Sequence, residues 1–314
     1  MTDKIYLPEG YLLDDEAVKE ARASHAGLER AMLSGMIVEG TVTLCDGGLN
    51  LWVDLGCMRG LIPRDEVGYT PDGEKQKDIA IISRVGKPVA VVVQAIRVSD
   101  RGESYAILSR RLAQKACLES YLYQLKAGDI IPAKVTHLEH FGAFVDVGCG
   151  VASLLSIDCI SVSRISHPRD RFYVGMPIKA VVKNVDRESG RVYVTHKELL
   201  GTWEENASHF TVGQTVMGVV RSIEDYGVFI ELAPNLAGLA EYRADIKVGD
   251  TVAVYIKNII RERMKIKLVI IDSCRAENTQ GKFSYFISPE CCHIDLWQYS
   301  PHGSGKVIES HFSA

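Results

Sequence analysis

Phe141-Gly142-Ala143-Phe144-Val145-Asp146-Val147-Gly148 is the stretch on which the reading of this chain turns. Side chains along a strand point alternately to opposite faces. Ala143, Val145 and Val147 therefore share one apolar face, and Phe144 and Asp146 share the other. The same pattern stands upstream as Leu49-Asn50-Leu51-Trp52-Val53-Asp54-Leu55-Gly56 and downstream as Tyr226-Gly227-Val228-Phe229-Ile230-Glu231-Leu232. A short strand of small residues and leucine follows each copy: Gly60-Leu61-Ile62, Ala152-Ser153-Leu154-Leu155 and Gly238-Leu239-Ala240. Recurrence at this spacing marks a repeat architecture.

Around these blocks lies a second repeat. Val85-Gly86-Lys87-Pro88-Val89, Val174-Gly175-Met176-Pro177-Ile178 and Val248-Gly249-Asp250-Thr251-Val252 each open an alternating, β-branched run. Ala127-Gly128-Asp129-Ile130-Ile131 and Val212-Gly213-Gln214-Thr215-Val216 open two more. The glycine in each suits a turn that leads into a strand. Units of roughly 60–75 residues with about five short strands point to small closed barrels, because closure removes exposed sheet edges. The expected fold is therefore dominated by β structure: three tandem five-stranded barrels joined by short helices, with a small C-terminal β segment.

The chain divides on this reading into an acidic helical arm (1–34), a first, divergent barrel (35–110), a linker helix (111–126), a second barrel (127–198), a second linker helix (199–210), a third, short-looped barrel (211–272) and a β extension (273–314). Helical spacing runs over 15–33, 110–125 and 198–210. In the extension, 282–287, 293–299 and 306–312 read as three strands packing on the third barrel.

Composition narrows the function. The 314 residues carry a net charge of −4, which argues against a grip made chiefly of phosphate contacts. The charge is uneven: residues 1–34 hold four basic and seven acidic side chains, whereas 126–200 hold ten basic and eight acidic. No run of 18 apolar residues is present, and residues 1–15 are acidic without an apolar segment, so neither a membrane span nor an export signal is expected. Eight scattered cysteines without a CxxC pair suit reduced thiols in a cytoplasmic protein. No Gly-X-Ser-X-Gly elbow or His-Glu-X-X-His helix occurs, and Gly303-Ser304-Gly305-Lys306 lacks the rest of a phosphate loop. Neither an enzyme, a cofactor nor a metal is expected, adjacent Cys291 and Cys292 being poor chelators.

The outward aromatics carry the functional argument. One outward ring is usually packing under a loop, but Trp52, Phe144 and Phe229 recur at one strand position. Phe141 and Tyr226 precede glycines that bring a second ring near. Such platforms suit base stacking, worth ~1–3 kcal/mol per base and tolerant of sequence. Lys183, Arg187 and Arg191 cluster at the last hairpin of the second unit, and Lys257, Arg261, Arg263, Lys265 and Lys267 at that of the third. Arg164, His167, Arg169 and Arg171 fall in the long loop of the second.

Phe141-Gly142-Ala143-Phe144-Val145, with Leu154 and then Asp186-Arg187-Glu188-Ser189-Gly190-Arg191-Val192, resembles the S1-type RNA-binding domain, an OB-fold found in bacterial ribosomal protein S1, polynucleotide phosphorylase and ribonuclease E. The resemblance covers about residues 35–272, strongest in the second unit and weakest in the first. It implies RNA binding through two strand aromatics, a histidine, an aspartate and an arginine. Phe141, Phe144, Asp186 and Arg191 match four of these, while Ser156 stands at the histidine position with His140 nearby. In the third unit Tyr226 and Phe229 match, with Lys265, Ile260 and Glu241 at the other positions. Only Trp52 matches clearly in the first, where Leu49 and Pro63 replace an aromatic and the histidine. The expectation is a bacterial, translation-associated binder of single-stranded mRNA at the small ribosomal subunit, monomeric, with Lys183, Arg191, Lys257, Arg261 and Lys265 near phosphate. A regulator of RNA decay or transcription and a protein-interaction scaffold are the alternatives.

Overall fold

Five glycines set the strand entries. Gly86, Gly128, Gly175, Gly213 and Gly249 all adopt φ between 79° and 94°, a region that a side chain disfavours. Each donates its N–H across the barrel seam: Gly86 to Val42, Gly175 to Val135 and Gly249 to Val220, Gly128 to Val182 and Gly213 to Ile256, at 2.7–2.9 Å. The repeated sequence thus fixes one repeated closure.

The computed structural model describes residues 6–70, 76–274 and 283–312. Two helices, α1 (Glu16–Arg22) and α2 (His25–Ser34), open the chain. The first barrel comprises β1 (Ile37–Cys45), β2 (Leu51–Asp54), β3 (Arg59–Ile62), the short α3 (Asp78–Ile82), β4 (Pro88–Val98) and β5 (Ser104–Ser109). After α4 (Arg110–Ser120) come β6 (Ile130–Glu139), β7 (Gly142–Asp146), β8 (Ala152–Ser156), β9 (Pro177–Asp186) and β10 (Arg191–Thr195). Beyond α5 (Trp203–Ala207), the third barrel has β11 (Thr215–Glu224), β12 (Gly227–Ala233), β13 (Leu236–Ala240), β14 (Thr251–Ile260) and β15 (Lys265–Cys274). All three close in the same order, first–second–third–fifth–fourth strand, with the third and fifth parallel. Closed five-stranded barrels are what the repeat predicts, and their strand order is that of the OB-fold the resemblance implies.

The first strand of each barrel is bulged at one place, between Val42 and Leu44, Val135 and His137, and Val220 and Ser222. A bulge bends and twists a strand, which lets it pair with the second strand at one end and the fourth at the other. Inside, Leu51, Val53 and Leu55, then Ala143, Val145 and Val147, then Val228 and Ile230, are completely buried.

The joints depart from the sequence reading. The helix expected over 15–33 is two, because Ser24 caps α2 by accepting the Gly27 N–H. The helix expected over 110–125 stops at Ser120 and continues as a 3-10 turn, Leu122–Gln124. The one expected over 198–210 is a 3-10 turn, Lys197–Leu200, and the short α5. Gly201, at φ 81°, divides them, and a side chain there would collide with Phe286 and Asn206. Among the described residues of the extension, β16 (Leu296–Gln298) and β17 (Glu309–His311) are the strands, as an antiparallel pair. Residues 283–287 are not a strand; Tyr285 and Ile287 instead pack on Val181 and Leu199 of the second barrel. Lys282 lies outside the described residues. The extension therefore contacts both barrels, with Trp297 and Tyr299 in the third core and the Ile130 N–H donating to Cys292.

Barrels one and two are locked by residues 7–12, which run between them. The Glu9 carboxylate, 5% exposed, accepts from Arg110 Nε at 2.6 Å and Nη2 at 3.0 Å, from Arg84 at 3.2 Å and from the Ala90 N–H at 3.1 Å. Its own N–H donates to Asp146 at 2.7 Å, and its carbonyl accepts from Lys134 at 2.8 Å. Arg110 reaches on to the carbonyls of Val67 and Gly150. Burial disfavours the Glu9 charge, but Arg110 and Arg84 outweigh it and hold the carboxyl below its ordinary range. Glu39 lacks such a cation: it accepts only the Gly10 and Leu12 N–H groups, and burial pushes its pKa up to about 7.

Between barrels two and three, Arg171 and Arg221 both hold Glu231, at 2.6 and 2.8 Å. Asn235, fully buried, accepts the Val162 N–H and donates to the carbonyls of Lys197 and Gly201.

Glu9→Ala, which strands Arg110 as a buried charge, should cost about 3–5 kcal/mol in urea unfolding. Glu39 yields a pH dependence of definite sign. Its folded pKa lies above its unfolded value, so the native state binds the extra proton between about pH 4.5 and 7, and its contribution fades as pH rises through that window. Melting temperature should fall more steeply from pH 5 to 8 in the wild type than in Glu39→Gln.

Candidate nucleic-acid interface

On the second barrel, strand register lines up the outer face. Phe144 on β7 stands opposite Leu154 on β8, which stands beside Tyr193 on β10. On the third, the same row is Phe229, Leu239 and Lys267, and on the first it is Trp52, Leu61 and Ile107. The aromatic preceding each block completes a ring pair. Phe141 meets Phe144 at 6.1 Å and 90°, and Tyr226 meets Phe229 at 6.1 Å and 89°. Edge-to-face pairing at this distance is a favourable aromatic geometry. Phe141 and Tyr226 remain 55% and 70% exposed, so each pair presents an open ring to solvent.

The glycine after each leading aromatic is required by close approach. A Cβ on Gly142 would lie 2.4 Å from the Leu155 carbonyl oxygen, and one on Gly227 would lie 2.4 Å from that of Ala240. The bulge secures the second ring from behind: the Thr136 hydroxyl donates to the Phe144 carbonyl at 3.1 Å, as Thr43 does to Trp52 at 3.2 Å. His137, paired with Phe144 in register, places its ring 6.3 Å from it.

The first barrel differs. Leu49 replaces the leading aromatic, and Arg59 lies over the Trp52 ring at 4.9 Å with Tyr105 beside it at 6.2 Å. Trp52 is thus already occupied by a cation–π contact.

The carboxylates expected on the wet face beside the rings are largely not there. Asp54 is exposed, but Asp146 and Glu231 are 3% and 7% exposed. Both point out of their own barrel core, as alternation requires, and are then covered by another part of the chain. Asp146 receives the N–H groups of Glu9, Gly148 and Gly150, and Glu231 receives Arg171. Burial, with the Glu9 charge added, raises the Asp146 pKa.

The expected cations divide likewise. Lys183, Arg191, Lys257, Lys265 and Lys267 are exposed. Arg261 is also exposed but pairs with Glu204 of α5. Arg171 and His167, expected in an open loop, are buried, Arg171 in the joint with barrel three and His167 as the cap of a 3-10 turn. His140 is exposed, its ring edge-on to His167 at 4.6 Å. Ser156 ends β8 opposite Gly142, beside the ring pair. Asp186 holds the β9–β10 turn, accepting from the N–H groups of Glu188 and Ser189 and from the Ser189 hydroxyl; these bonds lower its pKa. His293 contacts Asp129 and Asp295 through its two ring nitrogens, and no group suited to a metal ion occurs among the described residues.

Tyr193 was missed by sequence reasoning, although the alternation Arg191-Val192-Tyr193-Val194 points both Arg191 and Tyr193 outward. It gives the second barrel a third outer ring, 36% exposed.

The family model described as the S1 RNA binding domain matches residues 33–111 and 124–197, which span barrels one and two. The small ribosomal subunit protein bS1 homolog of Bacillus cereus is 29% identical over 301 residues, covering 90% of this chain and 75% of that protein. The small ribosomal subunit protein bS1 of Staphylococcus aureus is 29% identical over 226 residues, covering 70% of this chain and 54% of its own, so the match spans about half of that relative. A multidomain protein with nucleic acid binding domains from Streptococcus pneumoniae is 13% identical over 76% of this chain and 74% of its own, at a TM-score of 0.24, too loose a likeness to argue from.

Exposed rings contribute little to folding. Phe141→Ala and Tyr193→Ala should each stay within about 0.5 kcal/mol of wild type in urea titrations, which frees both for binding tests.

Proposed function

Since barrels one and two belong to the S1 RNA-binding domain family, we propose that the chain holds single-stranded RNA, mRNA in particular, across the outer faces of barrels two and three, in a translation-associated role at the small ribosomal subunit. The observation that carries this reading is the right-angle ring pair, Phe141–Phe144 and Tyr226–Phe229, repeated at one position in two barrels. An open ring of this kind stacks on any base, so sequence preference is weak. On this reading Tyr193 extends the platform of barrel two, and the exposed Lys183, Arg191, Lys257 and Lys265 contact the flanking phosphates. Asp186, held in its turn, offers an acceptor to a ribose or base edge.

The net charge of −4 supports stacking over phosphate neutralisation as the main source of affinity. The outer face of barrel one around Trp52, its ring taken by Arg59, is assigned to protein contact. The names of the bacterial relatives support the ribosomal setting. On this reading the protein acts by binding, as a cytoplasmic monomer.

Fluorescence anisotropy with a labelled single-stranded RNA of 12–20 nucleotides tests this. At ~1–3 kcal/mol per stacked base, Phe141→Ala/Phe144→Ala should weaken binding about tenfold or more, with a shallow salt slope. Wild-type binding that both this variant and Tyr226→Ala/Phe229→Ala leave unchanged would sink the aromatic-face reading. Co-sedimentation with small ribosomal subunits separates the ribosomal role from one in RNA decay.

A further inference from the structure

Between barrels one and two lies a cleft of about 540 Å³, of the size that takes a nucleotide-sized ligand. Its wall on barrel one is α3 with the entry to β4, and its wall on barrel two is β6 with the entry to β9. Arg84, Lys87 and Lys134 line it, and His137 stands at its edge on barrel two. That histidine is the one whose ring lies 6.3 Å from Phe144. Phe141, Phe144 and His137 are therefore successive ring contacts from the stacking face to the cleft, where His137 Nε2 also meets the Glu139 carboxylate at 2.7 Å.

The two carboxylates on the floor do not reverse its sign. Glu9 has both oxygens filled by Arg110, Arg84 and the Ala90 N–H, and Asp146 accepts three backbone N–H groups. Arg110 behind them adds a further positive charge. Glu9 in turn fixes two of the cations, Arg84 through its carboxylate and Lys134 through its carbonyl, while Lys87 lines the cleft as an exposed cation.

We propose that this cleft is a phosphate-binding site that takes a backbone phosphate of the single strand leaving the Phe141–Phe144 face. A free nucleotide offers the same chemistry; the continuous path through His137 favours the strand. The proposal rests on the stacking reading of barrel two and assigns barrel one a share in the same RNA.

The test compares Lys87→Glu with Lys306→Glu, an equal charge change on the C-terminal extension, using a 4-nucleotide RNA, a 12-nucleotide RNA and ATP. The short RNA covers one barrel face; the long one reaches the cleft. Lys87→Glu should weaken the 12-mer about fivefold beyond the control and lower the salt slope by about 0.7, the value for one phosphate on a single strand. The 4-mer should be unchanged. Equal affinity and slope for the 12-mer in both variants overturns the proposal. So does ATP binding that Lys87→Glu abolishes while leaving the 12-mer intact, which would make the cleft a nucleotide site. If the 4-mer still depends on Phe141 and Phe144, only the cleft has failed; if neither RNA responds to Phe141→Ala/Phe144→Ala, the stacking reading has failed as well.

Discussion

Glu9 and Arg110 form an ion pair that water scarcely reaches, and the placement of barrel two against barrel one follows from it. Two charges cannot be left in an apolar seam without partners, so every oxygen of Glu9 and the ends of Arg110 must find a donor or acceptor. Those partners come from four places: Arg84 and Ala90 of barrel one, Val67 before it closes, and Gly150 of barrel two. The observed placement of the barrels satisfies all of them at once. The arm does for this seam what a hydrophobic joint cannot, because apolar contacts tolerate sliding and a forked guanidinium on a carboxylate does not.

The carboxylate two residues after the outward aromatic shows how one repeated position serves different ends. In barrel one, Asp54 is exposed and accepts the Gly56 N–H. In barrel two, Asp146 receives the arm, and in barrel three, Glu231 receives Arg171 of its neighbour. The alternation of the strand obliges each to leave its own core, and whatever element lies beside that barrel then decides whether it meets water or a partner. The ring two residues before stays on the open side in all three. A tandem array can thus keep its ligand face constant while its joints are built a few ångströms away on the same strand.

This distinction also separates what the sequence discloses from what it withholds. The barrels were legible because their causes are local: alternation in 143–147, glycines before the strands, and an aromatic at one recurring step. The ring pairs were legible for the same reason. Burial of Asp146, Glu231 and Arg171 was not, since each meets a partner far away in the chain, 137 positions away for Glu9 and Asp146 and 60 for Arg171 and Glu231. No periodicity encodes such a contact. The linkers were overread as helices because helical spacing over 198–210 ignores Gly201, whose φ of 81° and tight surroundings end the turn. The motif comparison ranked barrel one lowest, yet the family model matches it; motif positions report the binding face, whereas the barrel pattern extends over the whole unit.

A rigid array changes what two weak faces can do. Flexible linkers let a second site bind at an effective concentration set by chain length, but these barrels are joined by buried ion pairs, by Asn235 and by the C-terminal extension folded across the joint. These joints tie the two barrels that carry the ring pairs to one another, so on the stacking reading a strand that spans both pairs spends less entropy on ordering the protein than it would with flexible linkers. Stacking at each pair is modest and indifferent to sequence, so selectivity in such an array comes from geometry. On the stacking reading, a duplex is disfavoured because its bases are already stacked on one another, and a short strand binds more weakly because it reaches one pair only. An acidic protein can bind RNA on these terms, with exposed lysines and arginines serving to keep the strand on the faces rather than to hold it there alone.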